Sequence, residues 1–193
     1  TPFGVRPLVY ADYVASGRGL SFIEDLIRDR ILPDYGNTHT ETSYTGRQTT
    51  VLREAARETI RKAVGADASH AVIFTGSGAT SGVNKLVRAL QLQGRLPRRA
   101  TAAAIPESEL PLVFVGPYEH HSNLLPWRES GADVIELPED RDGGPDRTAL
   151  AGALEQARGR RIIAAFSAGS NVTGALSDVI VLSRMVQAAG GKV

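Results

Sequence analysis

The chain of 193 residues has no cysteine. Disulfides, thiolate metal sites and a thiol nucleophile within the chain are therefore excluded. Charge of one sign is also lacking. The formal net charge is +1, so no general electrostatic pull toward nucleic acid or an anionic membrane is expected. The basic cluster of Arg95, Arg98 and Arg99 is too small to change this. No apolar run approaches the roughly 18 residues of a membrane span, and no N-terminal stretch resembles a signal peptide. A soluble, cytoplasmic protein without nucleic-acid or membrane partners is the expectation. Lysine is scarce as well, confined to Lys62, Lys85 and Lys192. What is present is enough for a packed core, with 42% hydrophobic and 22% charged residues.

The first half of the chain is mixed in pattern. Residues 8–13, LVYADY, read as a short strand or extended entry segment. Leu20, Ile23, Leu26, Ile27 and Ile31 are spaced as one helical face. Ser21 and Glu24 have the spacing of a capping box, and Pro33 and Gly36 would end that helix. The polar, Thr-rich stretch 36–50 reads as a functional loop, and 51–64 as a helix. AVIF (71–74) reads as a strand that feeds a Gly-rich turn and a helix over about 80–93. Residues 93–111, with their prolines, read as an irregular surface excursion.

From residue 112 the pattern becomes regular. Strands are expected at 112–115, 133–137 and 161–167. Helices are expected from about 121, over 146–159 with Asp146 at the cap, and over 177–191 with a glycine stop. Lys192 and Val193 read as the start of another strand. Strands alternating with helices predict an α/β fold, three layers with a mostly parallel sheet between helices. Residues 1–50 would form an N-terminal segment with a helix and an active-site loop. Residues 51–193 would form the first part of a larger domain, truncated in mid-pattern.

The turn TGSGATSG (75–82) offers backbone N–H groups with little side-chain obstruction, at a helix start where such donors have no intrahelical partner. Thr75, Ser77, Thr80 and Ser81 add hydroxyls. The spacing fits neither a P-loop, since Val83 stands where lysine is needed, nor a dinucleotide fingerprint. A weak NADP reading rests on Arg98 and Arg99, which could meet a 2′-phosphate. The turn could also bind nothing. Further along, EHHSNLLPW (119–127) and SAGSNVTG (167–174) each follow an expected strand. In open α/β sheets, ligands bind beyond the carboxyl ends of the strands. Three strand ends thus carry Gly/Ser/Thr, then His-His-Ser-Asn, then Ser-Asn.

Taken together and in order, GSGATSGVNKL, EHHSNLLPW and SNVTGAL resemble segments of the class V aminotransferases, including the cysteine desulfurases. VYADYVASG and GNTHTETSYTGRQT are similar to that family's N-terminal and N-x-H-x segments. The resemblance covers essentially the whole chain. It implies part of the large domain of a fold-type I enzyme that uses pyridoxal 5′-phosphate (PLP) and acts on an amino acid, as a homodimer. It further implies that Gly78, Ala79 and Thr80 hold the PLP phosphate, that His120 stacks on the pyridine ring, and that Asn171 hydrogen-bonds the ring's phenolic oxygen. Asn84 would be structural. His39 and Thr40 would face the substrate or a partner subunit's cofactor. His120 and His121 as metal ligands would diverge as neighbours and lack an evident third ligand, so no metal is expected.

Ser81 stands where the family commonly has Glu, and Ala168 where desulfurases often have His. Transamination, desulfuration, lyase and racemase chemistry all remain open. The family's Asp-x-[AS]-Q strand, its Schiff-base lysine and its small domain are expected beyond Val193. None of the three lysines fits the Schiff-base role, so the fragment is expected to be catalytically inactive. Two competing functions stand beside this one, an NADP-binding reductase domain and a non-catalytic interaction module.

Overall fold

The computed structural model describes residues 2–92 and 110–193. The expected excursion over 93–111 lies outside the described residues as far as 109, and so does the Arg98–Arg99 pair. The chain divides into two compact units, Thr1–Phe74 and Thr75–Val193.

In the first unit, helix α1 spans Ser21–Leu26 and runs on through a π-helical stretch, Ile27–Ile31, and a 3-10 turn, Leu32–Asp34. Ser21 is not its cap. Leu20 occupies that position in extended conformation, its carbonyl accepts from the Ile23 and Glu24 N–H groups, and no side chain caps the helix. Ser21 lies inside the helix, so the expected capping box does not form. Helix α2 spans Tyr44–Ala63 and so begins at Tyr44 rather than Val51. The Thr-rich stretch was expected to be loop because it has no apolar period. Residues 36–43 are turn and irregular, as expected, but 44–50 are helical, with their polar groups satisfied locally. Ser43 Oγ accepts from the Gly46 N–H at 3.2 Å, and the hydroxyls of Thr49 and Thr50 donate back to the carbonyls of Thr45 and Gly46. Gly46 is required there, since a Cβ would collide with the Thr40 carbonyl.

Neither 8–13 nor 71–74 forms a strand. Tyr10 instead donates its hydroxyl to the Ser16 carbonyl at 2.6 Å, closing a local turn. AVIF has β-type side chains, but among the described residues no neighbour completes a ladder with it. Ile73 and Phe74 stay exposed.

The second unit is the expected three-layer α/β arrangement. Helix α3 spans Gly78–Ala89, β1 Leu112–Val115, α4 His121–Arg128, β2 Asp133–Glu136, α5 Arg147–Gln156, β3 Ile162–Ala165 and α6 Val179–Ala188. The sheet order is β2-β1-β3, all parallel, with Leu112 opposite Asp133 on one side and Ile162 on the other. A bridge from Ile163 to Lys192 starts a further parallel pairing beyond β3, where the sequence places another strand.

Alternation along β1 divides the core. Leu112 and Phe114 pack with Leu150, Leu154, Leu182 and Val186 of α5 and α6. Val113 and Val115 pack with Val87 of α3 and Trp127 of α4. Right-handed crossovers explain these faces. The chain leaves β1 toward β2 through α4, then crosses back over β1 to β3 through α5, which must lie on the opposite face. Connections therefore depart from β1 and β3 in opposite directions. The crevice between their carboxyl ends is a topological switch point, the preferred ligand position in such sheets. At the opposite end of the sheet, Arg160 donates to the Leu110 carbonyl at 2.9 Å and to Asp133 at 3.1 Å, tying together the starts of the strands.

Candidate functional site

Glu119 closes the switch point. It follows β1 by way of Gly116, and its carboxylate turns back into the crevice. Oε1 accepts from the Gly116 N–H at 3.1 Å and the Ser167 N–H at 2.7 Å. Oε2 accepts from Ser167 Oγ at 2.6 Å and Asn123 Nδ2 at 2.7 Å. One side chain thus ties the end of β1, the end of β3 and the first turn of α4. The direction of these bonds is fixed from further out. The Trp127 indole can only donate, and it does so to Asn123 Oδ1 at 3.2 Å. Asn123 must then point Nδ2 toward Glu119 and toward the Ala165 carbonyl, 3.2 Å away. Gly116 makes room, since a Cβ there would lie 2.8 Å from Glu119 Oε1.

His120 is the N-cap of α4. Its Nδ1 accepts from the Ser122 N–H at 3.1 Å. In the neutral ring this leaves the proton on Nε2, so the outward nitrogen is a donor. The ring itself is exposed and lies 6.4 Å from that of His121, centroid to centroid.

The start of α3 differs from the other helix starts of this unit. His120, Asp146 and Asp178 cap α4, α5 and α6 with their side chains, whereas Ser77 makes no such bond. The first N–H groups of α3, at Gly78, Ala79 and Thr80, have no side-chain acceptor there and remain available to an anion. Gly76 and Gly78 have φ of 101° and 75°, a left-handed conformation that glycine adopts without a Cβ penalty. Around Gly78 the position of a Cβ meets nothing within 4 Å. Thr80 Oγ1 lies 2.7 Å from Ser122 Oγ, joining the starts of α3 and α4. Asn84 donates to the Thr80 carbonyl at 2.9 Å.

Asn171 lies in an exposed turn beyond β3. Ser170 Oγ braces this turn by accepting from the N–H groups of Val172 and Thr173. No hydrogen bond links its side chain to Thr80 or His120 among the described residues. His39 and Thr40 belong to the first unit, in the turn before α2. There His39 adopts φ 75°, an uncommon conformation for a residue with a Cβ, and Thr40 donates to the Asn37 carbonyl. Among the described residues, no group of three or more His, Asp or Glu is arranged to hold a metal ion.

Sequence reasoning placed Glu119, Ser122, Asn123 and Ser167 within the strand-end motifs but gave them no individual role. Glu119, Asn123 and Trp127 stand at successive i, i+4 positions, a signal for a hydrogen-bonded row along the start of a helix. The pairing with Ser167 had no local signal, because it spans 48 positions.

These features define an α/β protein in which the uncapped start of α3 meets the start of α4 through the Thr80–Ser122 pair, beside a parallel sheet. The sequence model of the aminotransferase class-V family matches residues 9–193. The chain belongs to that family. A probable cysteine desulfurase from Pseudomonas aeruginosa is 30% identical over 97% of this chain and 44% of its own length. One from Vibrio cholerae is 29% identical over 88% of this chain and 39% of its own. Among solved structures, the Escherichia coli cysteine desulfurase CsdA superposes with TM-score 0.57 at 27% identity, covering 88% of this chain and 39% of that one. An apo cysteine desulfurase from Thermococcus onnurineus shares the fold at TM-score 0.71 and 20% identity, covering 92% of this chain and 41% of that one. The chain thus spans about two fifths of the length of these relatives.

Proposed function

We propose that this chain is the PLP-binding region of an enzyme that acts on an amino acid, of the aminotransferase class V or cysteine desulfurase type. The observation that carries the proposal is the uncapped start of α3, facing the Thr80–Ser122 hydroxyl pair in a family whose members use a phosphorylated coenzyme. A phosphate dianion fits there. It would accept from the N–H groups of Gly78, Ala79 and Thr80 and from a hydroxyl, and the helix dipole favours its charge. His120 would lie against the pyridine ring. Its rotation is restrained by the Ser122 N–H. Asn171 would donate to the ring's phenolic oxygen, from a turn braced by Ser170 Oγ. When bound, PLP supplies an electron sink for charge that develops at the amino acid's α-carbon.

An amino-acid substrate is in keeping with the cysteine desulfurases among the relatives. His39 and Thr40 are assigned to the substrate or to a partner subunit's cofactor in a homodimer. The 193-residue chain alone binds without turnover. Lys62 is ion-paired with Glu58 at 3.2 Å, Lys85 is exposed on α3, and the Lys192 backbone is paired with β3. None of them is assigned the role of the Schiff-base lysine.

The test is an equilibrium titration of the chain with PLP, followed by quenching of Trp127, its only tryptophan. Saturable binding that Thr80→Val and His120→Ala each weaken, with no steady-state transaminase or desulfurase turnover, is the expected result. Unsaturable quenching, unchanged in both variants, would overturn the assignment.

A further inference from the structure

We propose that Ser122 is a positioning residue that turns the Thr80 hydroxyl toward a bound phosphate. The inference rests on the PLP assignment above and names a residue outside it.

Beyond the first turn of α2, threonine hydroxyls donate to the carbonyl four residues earlier. Thr49 donates to Thr45, Thr50 to Gly46 and Thr59 to Ala55. Their protons are committed to the helix. Thr80 stands in the first turn of α3, where the residue four back, Gly76, precedes the helix. Its hydroxyl is drawn sideways instead, to Ser122 Oγ at 2.7 Å.

A hydroxyl pair holds two protons and only one of them is used between the two oxygens. The other is left for a third group. When that group is an anion beside the α3 N–H donors, the low-energy arrangement runs in one direction. Ser122 donates to Thr80, and Thr80 donates to the phosphate oxygen. Each bond polarises the next, and the last is charge-assisted.

Ser122 is well placed to hold this direction. Its own N–H is already fixed on His120 Nδ1 at 3.1 Å, so its backbone cannot swing without releasing the His120 ring. It is the residue through which the ring-facing and phosphate-facing groups meet. Helices α3 and α4, which carry the two hydroxyls, share the Val87–Trp127 side of the core, so the oxygen–oxygen distance is set by packing.

The experiment compares PLP with pyridoxal, which has the same ring and aldehyde but no phosphate, on the 193-residue chain. Trp127 quenching is the readout, and far-ultraviolet circular dichroism checks the fold. Wild type should bind PLP more tightly than pyridoxal. Ser122→Ala should lose about three- to tenfold in PLP affinity, the worth of one oriented hydrogen bond, and nothing for pyridoxal. Ser122→Thr, which keeps the hydroxyl, should retain wild-type affinity and remains informative if the alanine variant does not fold. In a Thr80→Val background, Ser122→Ala should cost nothing further. Equal PLP affinity in wild type and Ser122→Ala, or an equal loss for pyridoxal, would overturn the role of Ser122 while leaving the PLP site standing. A wild-type chain that does not prefer PLP to pyridoxal would overturn the phosphate site and the inference together.

Discussion

Removing the Glu119 carboxylate should loosen the second unit at one identifiable place. Glu119→Ala takes the acceptor away from four donors at 2.6–3.1 Å, namely the N–H groups of Gly116 and Ser167, Ser167 Oγ and Asn123 Nδ2. A hydrogen bond to a charged group contributes about 1.5–3 kcal/mol. Glu119 is only partly buried, so water replaces part of what is lost, and a total of about 2–4 kcal/mol is expected. Glu119→Gln is the sharper perturbation. It keeps the shape and one oxygen, but where Oε2 stood it places an NH2 group opposite another NH2 group, that of Asn123. Asn123 cannot turn over to accept without giving up Trp127 Nε1 and the Ala165 carbonyl. About 1–2 kcal/mol should be lost for this donor–donor conflict. Urea unfolding followed by Trp127 fluorescence measures both. The expected order is wild type, then Gln, then Ala. In an Asn123→Ala background the Gln substitution should cost far less, because the conflict is gone. If Glu119→Ala stays within about 0.5 kcal/mol of wild type, the size of an ordinary surface change, the carboxylate does not tie the strand ends.

Two further outcomes follow from the same region. Gly116→Ala should destabilise by about 1–3 kcal/mol on sterics alone, with its Cβ 2.8 Å from Glu119 Oε1, and Glu119→Ala in the same chain should relieve part of that cost, as read by the same urea assay. A hydrogen bond to Glu139, then desolvation, then the Glu139 charge hold the Tyr118 phenol above the usual tyrosine range. The folded pKa lies above the unfolded one, so this contact's contribution to stability is fully present below about pH 10 and fades as pH rises through the higher folded value. Titration of tyrosinate absorbance should show one late-ionising group, lost in Tyr118→Phe and shifted back in Glu139→Gln.

Much of the second unit was legible because its signals are local. LVFV is apolar at every position, as a strand buried on both faces must be. Asp146 announces the start of α5, and its carboxylate accepts from the N–H groups of Thr148 and Ala149. Gly190, at φ 78°, marks the end of α6. The first unit was less legible. Thr49 and Thr50 add no apolar period, and the early start of α2 rests on the Ser43 cap and on hydroxyls satisfied within the helix. AVIF has the composition of a strand, but a strand also needs a partner, and composition does not specify one. In the site, the residue types of the Gly-rich turn pointed to an anion, and the family resemblance added a flat ring. The contacts that join those ends could not be read, because Thr80 meets Ser122 across 42 positions and Glu119 meets Ser167 across 48. The second depends on β3 lying beside β1, with β2 on its other side.

The most direct measurement is a map of backbone amide shifts by nuclear magnetic resonance as PLP is added to the chain. The largest changes are predicted at the Gly78, Ala79 and Thr80 N–H groups, with His120 and Asn171 moving at the same midpoint. Shifts that leave α3 untouched, and gather instead on the exposed arginines or follow the lysines, would contradict a coenzyme site at this edge of the sheet.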